Sequence, residues 1–399
     1  MIYLYKTIII PVKCNKTDYT YLMTLNKLSA EVWNHCIDLD KEYVKQTGNF
    51  MTMGVMQTAV KGYNNLHAKG ISFVYHKYLA ARESMWKSIK AKHENSNKVK
   101  LPYRYKKYYN TGWDYQSIKI DKDKGTIEMS RSITVIDGKR RRLQPICCYA
   151  KTIPDNIVEI ELLYRNGLYL AIKYKTDDNI TLIQSTNSAS IDLGEIHAIT
   201  SIDTQGHAIV ITGRKLRSIK RLRDKEQGKI RSKISKCTKG SRQYKKYSRA
   251  LYKIKNKSDK CILDCVHKIT KLYLDYCLKN RISTIYYGDL DSCTRNTHKD
   301  KRANKIVGQK LNEWNYGLIM QQLENKLSRY GIQLVKISEA YTSQTCPVCG
   351  KHNHPTNRVY QCECGYKQHR DIVGAINILN NNAGTKIQSY SSKEYLRIA

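Results

Sequence analysis

The spacing of apolar residues divides the N-terminal part of the chain into three stretches. Residues 1–12 alternate between apolar and polar side chains, which predicts a β-strand. Between residues 18 and 93, apolar residues recur at the spacing of an amphipathic helix and glycines interrupt them, which indicates a small helical bundle. Residues 115–175 alternate again in short segments, and Asn166 followed by Gly167 predicts a hairpin turn between two of them. The pattern predicts a small β-barrel with a helical bundle inserted between its strands.

From residue 187 the chain changes to longer apolar strands and helices. Three strands are predicted within 189–211, then basic helices at 214–260, an amphipathic helix at 262–278, and a strand, a helix and a strand between 282 and 337. The order β-β-β-α-β-α-β is typical of an RNase-H-like α/β core, so the predicted fold class is multidomain α+β. The predicted segments are a β-barrel domain (1–12 and 111–186), a helical domain (13–110), an RNase-H-like domain (187–341 and 369–382), a cysteine-bearing insert (342–368) and a flexible C-terminal tail (383–399).

The net charge of the chain indicates which kind of partner it binds. The 399 residues include 70 Lys and Arg against 34 Asp and Glu, a formal net charge of +36. So large a surplus opposes compaction unless a polyanion neutralises it, and nucleic acid is the first candidate. Residues 214–260 contain 20 Lys and Arg and 3 acids, and the loop at 95–110 interleaves basic residues with tyrosines that can stack on bases.

A membrane is the alternative partner for a basic chain. An anionic membrane surface is disfavoured, because the basic residues occur throughout the chain and no lipidation motif is present. No apolar run approaches the length that spans a bilayer, and residues 1–11 lack the basic leader and cleavage site of a signal peptide. We therefore expect a cytoplasmic protein, associated with the nucleoid in a prokaryote.

Four of the 13 cysteines are spaced like metal ligands. Cys346 and Cys349 form one close pair, Cys362 and Cys364 form a second, and a glycine follows each pair. Zinc favours four tetrahedral sulfurs, so a structural zinc ribbon is predicted. The odd number of cysteines argues against a disulfide framework. Three nearby histidines are interpreted as polar surface residues, because four thiolates already close the site: His352, His354 and His369.

Four segments carry a resemblance to a known family. They are 191–194 (Ile-Asp-Leu-Gly), 287–290 (Tyr-Gly-Asp-Leu), 341–350 (Tyr-Thr-Ser-Gln-Thr-Cys-Pro-Val-Cys-Gly) and 369–379 (His-Arg-Asp-Ile-Val-Gly-Ala-Ile-Asn-Ile-Leu). In this order they resemble the TnpB family of insertion-sequence nucleases, which are related to the compact type V CRISPR effectors. The resemblance covers about residues 187–382 and pairs the cysteine motif with the Arg-Asp motif that follows it.

The resemblance implies an RNA-guided DNA endonuclease associated with a transposon. A guide RNA pairs with one strand of the target DNA, and the protein holds the heteroduplex by its backbone. A RuvC-like domain then cuts DNA with two Mg²⁺ ions, and one protein is expected per guide RNA. The barrel corresponds to a wedge-like domain and the helical bundle to a recognition domain. A sequence-specific DNA-binding protein that uses no RNA is the rival hypothesis from another class.

The resemblance also implies the catalytic acids. Asp192 corresponds to the first acid of the family, at the end of a strand, and Asp371 to the third, at the start of a helix. The family has a second acid, a Glu before Asp-Leu, but this chain has Gly288 there. Asp289 is adjacent, although successive strand residues face opposite sides, so it is expected to point away from the metals.

Two interpretations follow from Gly288. In the first, Glu339 replaces the missing acid, since the chain resembles a subset of the family in which Gly-Asp-Leu replaces Glu-Asp-Leu and a Glu precedes Tyr-Thr-Ser. The Mg²⁺ ligands are then Asp192, Glu339 and Asp371, with Glu195 and Glu313 as weaker alternatives for the second acid. In the second, the nuclease is inactive and the protein is an RNA-guided DNA-binding repressor.

Overall fold

The structure, a computed structural model, consists of two compact units, Met1–Asp178 and Asn179–Ala399. It describes residues 4–90, 104–136, 139–165, 167–176, 182–289, 315–338, 341–353 and 357–398. Within these residues, no helix is both long and apolar enough to cross a lipid bilayer.

The first unit combines helices with antiparallel sheets. Its helices are α1 (Lys16–Thr47), α2 (Met53–Ala59) and α3 (Ala68–Lys90), with a 3₁₀ turn at Tyr115–Ser117. Its strands are β1 (Leu4–Pro11), β2 (Thr111–Asp114), β3 (Ile118–Asp121), β4 (Thr126–Met129), β5 (Ile133–Ile136), β6 (Lys139–Arg142), β7 (Ile146–Tyr149), β8 (Ile157–Tyr164) and β9 (Leu168–Thr176). The three helices follow β1 and precede β2, and both strands belong to one sheet of order β1-β9-β8-β2. The periodicity therefore predicts correctly that the helices are inserted between strands.

Helix capping and a hydrophobic core shared by helices and strands stabilise this unit. Asn15 caps α1 by accepting a hydrogen bond from the Asp18 backbone N–H at 2.7 Å, and the helix ends at Gly48, whose left-handed φ of +72° favours glycine. Trp33 of α1 and Trp113 of β2 are buried in one core, so helices and sheet fold together. The described strands form separate sheets of four, three and two strands, and none closes on itself. Closure into the predicted barrel is not confirmed.

The second unit is built around a six-stranded mixed sheet. Its strands are β10 (Ser188–Asp192), β11 (His197–Asp203), β12 (His207–Thr212), β13 (Thr284–Gly288), β14 (Gln333–Ile337), β15 (Val359–Gln361), β16 (Lys367–His369) and β17 (Ser392–Leu396). Its helices are α4 (Arg214–Ser235), α5 (Arg242–Lys279), α6 (Tyr316–Leu327) and α7 (Arg370–Ala383), with a 3₁₀ turn at Ser328–Tyr330. The large sheet has the order β14-β13-β10-β11-β12-β17, and β15 pairs with β16 in a separate hairpin. Strands β10, β11 and β12 form an antiparallel meander, whereas β13 and β14 add in parallel to β10.

Helices cover both faces of this sheet. Ile191 and Ile199 lie on the face that packs against α5 and α6, which we call the α5 face. Ile202 and Val210 pack against Ile376 on the opposite side, which we call the α7 face. Burial on both faces explains why β10 to β13 appear in the sequence as nearly continuous apolar runs.

The prediction of a flexible C-terminal tail is wrong for part of that segment. The sequence predicts a flexible tail over 383–399, but Ser392–Leu396 forms β17 and pairs in parallel with β12. The strand satisfies backbone groups at the exposed edge of the sheet, and Glu394 forms an ion pair with Lys279 of α5 at 2.6 Å. The side chains of β17 are largely exposed, so its strand character comes from a long-range pairing that no local apolar alternation announces.

Candidate catalytic site and cysteine cluster

Asp192 and Gly288 end two neighbouring parallel strands. Ile191 of β10 pairs with Tyr287 of β13, so the residues that follow them, Asp192 and Gly288, lie side by side at the carboxyl edge of the sheet. Ile337, the last residue of β14, pairs with Gly288 at the same edge. The carboxyl ends of parallel strands are the usual position of functional sites in α/β sheets.

Helix α7 lies closely against Asp192. Ser190, two residues earlier on the same face of β10, donates a hydrogen bond from its Oγ to the carbonyl of Ala375 at 2.7 Å. A Cβ atom on Gly374 would lie 2.9 Å from Oδ2 of Asp192, so glycine permits the approach of helix and carboxylate. Gly374 lies three residues after Asp371, on the same side of α7. The fold therefore brings together the two regions that carry Asp192 and Asp371.

Asp371 is buried among basic side chains. His197 Nδ1 lies 2.8 Å from its Oδ2, Arg358 Nη1 lies 3.6 Å from the same oxygen, and His369 Nδ1 lies 3.9 Å away. Burial acts to raise the pKa of the Asp371 carboxyl, but the hydrogen bond with His197 and the electrostatic effect of the neighbouring basic side chains outweigh it and lower the pKa. Asp371 is therefore ionised at neutral pH, as a metal ligand requires.

His369 has a structural role that the sequence analysis does not assign to it. Its Nδ1 accepts a hydrogen bond from the Asp371 backbone N–H at 3.3 Å and so caps the N-terminus of α7. Burial lowers the pKa of its imidazole, which keeps the ring neutral and able to accept. It is half-buried, whereas His352 is exposed as expected and His354 lies outside the described residues.

The four predicted cysteines converge in a cluster that could hold a metal ion. Their sulfurs all lie within 4.8 Å of one another, with 3.7 Å between Cys346 and Cys364 and 3.5 Å between Cys349 and Cys362. Four sulfurs around one zinc, each at about 2.3 Å in a tetrahedron, would be about 3.8 Å apart. A hydrogen bond from the Cys364 backbone lowers the pKa of the Cys362 thiol to about 6, whereas burial raises the pKa of the Cys346 thiol to about 12, so Cys362 is the readier of the two to form the thiolate that binds metal. The cluster's spacing thus fits a closed tetrahedral site.

Glycines shape the two turns that carry the cysteines. Gly350 and Gly365 follow the first and second pairs with left-handed φ values of +74° and +88°. Their backbone N–H groups donate to the carbonyls of Cys346 and Cys362 at 2.9 and 3.0 Å. A side chain at either position would strain the turn, as the sequence pattern indicates.

The cysteine cluster is joined directly to α7. Strand β16 ends at His369, and α7 begins at the next residue. Val373 of α7 packs against the core of Cys346, Cys362 and Tyr360. Asn377 donates from Nδ2 to the backbone carbonyls of Thr342 and Thr345, both at 2.7 Å. The helix that carries Asp371 is therefore held in place by the same segment that carries the cysteines.

The remaining acids occupy different environments. Asp289 follows β13 and forms an ion pair with Lys336 at 2.8 Å. Alternation along the strand places Asp289 with Tyr287 on the α5 face, away from Asp192. Glu195 is exposed and lies 3.4 Å from Arg217. The two other candidates for the second acid lie outside the described residues: Glu339 and Glu313.

Sequence reasoning missed His197, Arg358 and Gly374. Gly374 left a usable signal, because a glycine inside a helix costs about 1 kcal/mol relative to alanine and usually has a packing reason. His197 and Arg358 left none, since each meets Asp371 only through tertiary contacts.

Basic and aromatic side chains are exposed in both units. In the first, Lys106 Nζ lies 3.6 Å from the ring centroid of Trp33 and 4.0 Å from that of Tyr109, while Tyr105 and Tyr108 project outward, 52% and 61% exposed. In the second, α4 and the first half of α5 display the basic residues of 214–260, and few of their side chains are buried. Both surfaces have the composition that binds phosphates and stacks on bases.

Comparisons with known proteins agree with this architecture. Residues 171–293 match the probable-transposase family OrfB_IS605, and residues 316–378 match the TNB domain of Cas12f1-like proteins. A TnpB-like protein of Methanocaldococcus jannaschii is 26% identical over 196 residues, which cover 48% of this chain and 68% of that protein. By these matches the chain is similar to TnpB-like proteins. A CRISPR-associated endodeoxyribonuclease Cas12f1 of an uncultured archaeon is 32% identical over 117 residues, 27% of this chain and 21% of the relative.

Solved structures share the fold of this protein. Cas12f1 in its complex with sgRNA and target DNA superposes with a TM-score of 0.67 at 16% identity, over 91% of this chain and 83% of that one. The mini-RNA-guided endonuclease CRISPR-Cas_phi3 superposes with a TM-score of 0.56 at 11% identity, over 97% and 94% of the two chains. By sequence, the matched regions span only 21% and 25% of two Cas12f1 relatives. At these identities the structural likeness concerns the fold.

Proposed function

We propose that this protein is a transposon-associated, RNA-guided DNA endonuclease whose RuvC-like site hydrolyses phosphodiester bonds with Mg²⁺. The observation that carries the proposal is the approach of α7 to Asp192, in which Gly374 leaves room for the carboxylate and Asp371 lies one turn away. This approach supports a site in which Asp192, at the carboxyl edge of the sheet, and Asp371, from a distant part of the chain, act together. Hard carboxylate oxygens are the ligands that Mg²⁺ prefers.

Asp192, Glu339 and Asp371 are the proposed Mg²⁺ ligands. Bound metal would activate the attacking water and stabilise the leaving oxygen of the cut strand. His197 keeps the Asp371 carboxylate ionised and oriented, and Gly374 keeps the Asp192 carboxylate within reach of α7. Glu339 is proposed because β14 ends at Ile337, next to Gly288 and at the same edge as Asp192, and Glu339 follows two residues later.

The cysteine cluster is proposed to bind one structural zinc ion through Cys346, Cys349, Cys362 and Cys364. The sulfur spacing supports this assignment, because it is close to that of a tetrahedral zinc site. The zinc would fix the hairpin β15–β16, whose second strand leads directly into α7. Its role is to position Asp371 and not to take part in the chemistry.

The partners proposed are a guide RNA and the target DNA. The Cas12f1 structure that shares the fold is a complex with sgRNA and target DNA, and the net charge of +36 supports binding of a polyanion. The proposed contact surfaces are helix α4, the first half of α5 as far as Lys260, and the loop around Lys106 and Tyr108. Sequence would be read by base pairing of the guide, while the protein contacts the backbone.

Cleavage of guide-matched DNA tests the proposal. The complex, purified after expression with its flanking RNA-coding locus, should cut matched DNA only when Mg²⁺ is present. Asp192→Ala, Glu339→Gln and Asp371→Ala should each abolish cutting and leave RNA binding intact. Asp289→Asn is the matched control and should slow cutting much less, because Asp289 pairs with Lys336, which stands opposite Tyr287 on the α5 face.

The runner-up function is an RNA-guided DNA-binding repressor. Gly288 favours it, since the position beside Asp192 carries no carboxylate. An unmodified complex that binds its target but never cuts would establish the repressor. If the complex cuts and Glu339→Gln cuts equally well, the nuclease assignment stands and the second acid lies elsewhere.

A further inference from the structure

A β-bulge lies at the start of β11, next to the proposed nuclease site. His197 pairs with Thr212 of β12, and Ile199 pairs with Ile211, so Ala198 is an extra residue with no partner on β12. Bulges disrupt strict alternation and are often found beside active sites, where they re-aim a side chain.

The bulge turns His197 from one face of the sheet to the other. Ile199 packs in the core of the α5 face, and Ser201 contacts the Tyr273 hydroxyl of α5 at 3.0 Å. Regular alternation would direct His197 to that face as well. Because of the bulge, Ala198 and Ile199 both pack in the α5 core, and His197 points to α7, where its Nδ1 meets Asp371.

The contact between His197 and Asp371 is well defined. Both residues are 9% exposed, and Nδ1 lies 2.8 Å from Oδ2. A carboxylate that is ionised at neutral pH only accepts hydrogen bonds, so Nδ1 carries the hydrogen and donates it. The imidazole ring is held from its sides by His369, at 4.9 Å between centroids, and by Tyr395 of β17, at 5.9 Å.

We propose that His197 is a positioning residue of the nuclease site, whose Nδ1–H fixes the rotation of the Asp371 carboxylate so that it can bind a divalent metal together with Asp192. The inference rests on the proposed function, because it takes Asp371 as a metal ligand. Hydrogen bonds to the ligands of a metal site orient them, and removing them typically weakens metal binding by about 10- to 100-fold. In this arrangement Nδ1 is committed to Oδ2, so through that nitrogen His197 acts on Asp371 and not directly on the metal.

Two substitutions separate the hydrogen bond from the bulk of the ring. In His197→Asn, the amide nitrogen lies about where Nδ1 lies in histidine, so the donor is retained. In His197→Leu, a side chain of similar volume has no donor. His267→Leu serves as the control, because His267 is an exposed histidine of α5 in the same unit. Thermal unfolding identifies any variant that fails to fold.

The measurement is the binding of Mn²⁺, monitored by electron paramagnetic resonance, to the zinc-loaded protein with its guide RNA and without target DNA. Asp371→Ala defines the signal that belongs to this site. His197→Leu should weaken Mn²⁺ binding about tenfold or more, His197→Asn should restore most of the affinity, and His267→Leu should match the unmodified protein. In a cutting assay, the Mg²⁺ concentration for half-maximal rate should follow the same order, with the highest requirement in His197→Leu.

Two results would overturn the inference. One is unchanged Mn²⁺ affinity in folded His197→Leu. The other is equally weakened binding in His197→Asn and His197→Leu, which would make the imidazole itself the ligand or a packing element. A protein that binds Mn²⁺ in a His197-dependent way but cuts no DNA would refute the proposed nuclease while leaving the positioning role intact, so the two failures are distinguishable.

Discussion

Asp192 Oδ2 lies 2.9 Å from the point where a Cβ atom of residue 374 would stand, so a side chain at position 374 would collide with the Asp192 carboxylate unless that carboxylate moved. The two residues are far apart in sequence and belong to different elements, β10 and α7. Their proximity links the first acid of the site to the helix that carries Asp371.

Gly374→Ala should separate activity from stability. Alanine favours a helix over glycine by about 1 kcal/mol, which offsets part of the collision, so the unfolding midpoint should change little. The new methyl group should displace the Asp192 carboxylate, and a shift of about 1 Å at a reacting group can cost about 100-fold in rate. Cleavage rates under saturating guide and Mg²⁺ check this.

Gly317→Ala is the matched control for that substitution. A Cβ atom at Gly317 in α6 would meet nothing within 4 Å, so the same change should leave cutting unaffected. Equal rates for Gly374→Ala and the unmodified protein would show that Asp192 does not need the space it occupies.

Removing the proposed zinc should impair DNA cutting, although the cysteine cluster is separate from the proposed catalytic acids. Cys362→Ser combined with Cys364→Ser deletes half of the sulfur cluster, and β16 would no longer fix the start of α7. We expect zinc content to fall to zero by elemental analysis and cutting to be abolished, while RNA binding persists. Cys261→Ser, at an exposed cysteine of α5, should retain both zinc and activity. Full cutting by the zinc-free variant would contradict a positioning role for the cluster.

The basic helices should govern the salt dependence of RNA binding. Lys245, Lys246 and Arg249 are exposed near the start of α5, and glutamine at all three should weaken guide binding. Each phosphate-binding charge that is removed should reduce the slope of log affinity against log salt by about 0.7 to 0.9. The control is Lys124→Gln in the first unit, where Lys124 forms an ion pair with Asp121 of the same unit. This substitution should leave the slope unchanged. Filter binding from low to high salt measures the affinity for guide RNA and the slope of log affinity against log salt.

The C-terminal strand should contribute to the site through Tyr395. The Tyr395 ring packs edge-on against the His197 ring, with 5.9 Å between centroids, so β17 supports the residue that holds Asp371. Tyr395→Ala should loosen His197 and raise the Mg²⁺ concentration needed for half-maximal cutting several-fold. Glu394→Gln alters the adjacent surface residue, which pairs with Lys279, and should behave like the unmodified protein. An unchanged Mg²⁺ requirement in Tyr395→Ala would limit β17 to a role in stability.

Local patterns in the sequence predict much of this protein. The strand and helix order of the second unit follows from apolar periodicity, because burial on a sheet face or a helix stripe imposes a fixed spacing. The cysteine cluster follows from two close pairs, since short turns deliver their own ligands. The prediction that Asp289 faces away from Asp192 agrees with its ion pair to Lys336, because alternation along a strand is a local rule.

Tertiary structure alone decided the surroundings of Asp371 and the end of the chain. The bulge at Ala198, which turns His197 toward α7, depends on how β11 pairs with β12. No local pattern in the sequence indicates it. Strand β17 forms because the edge of β12 offers unpaired backbone groups, although its own side chains show no buried face. The need for glycine at 374 arises from a carboxylate about 180 positions earlier in the chain. Apolar periodicity and cysteine spacing reflect interactions within one short segment of the chain. The bulge, strand β17 and the requirement for glycine at 374 depend instead on which distant segment packs against each of them.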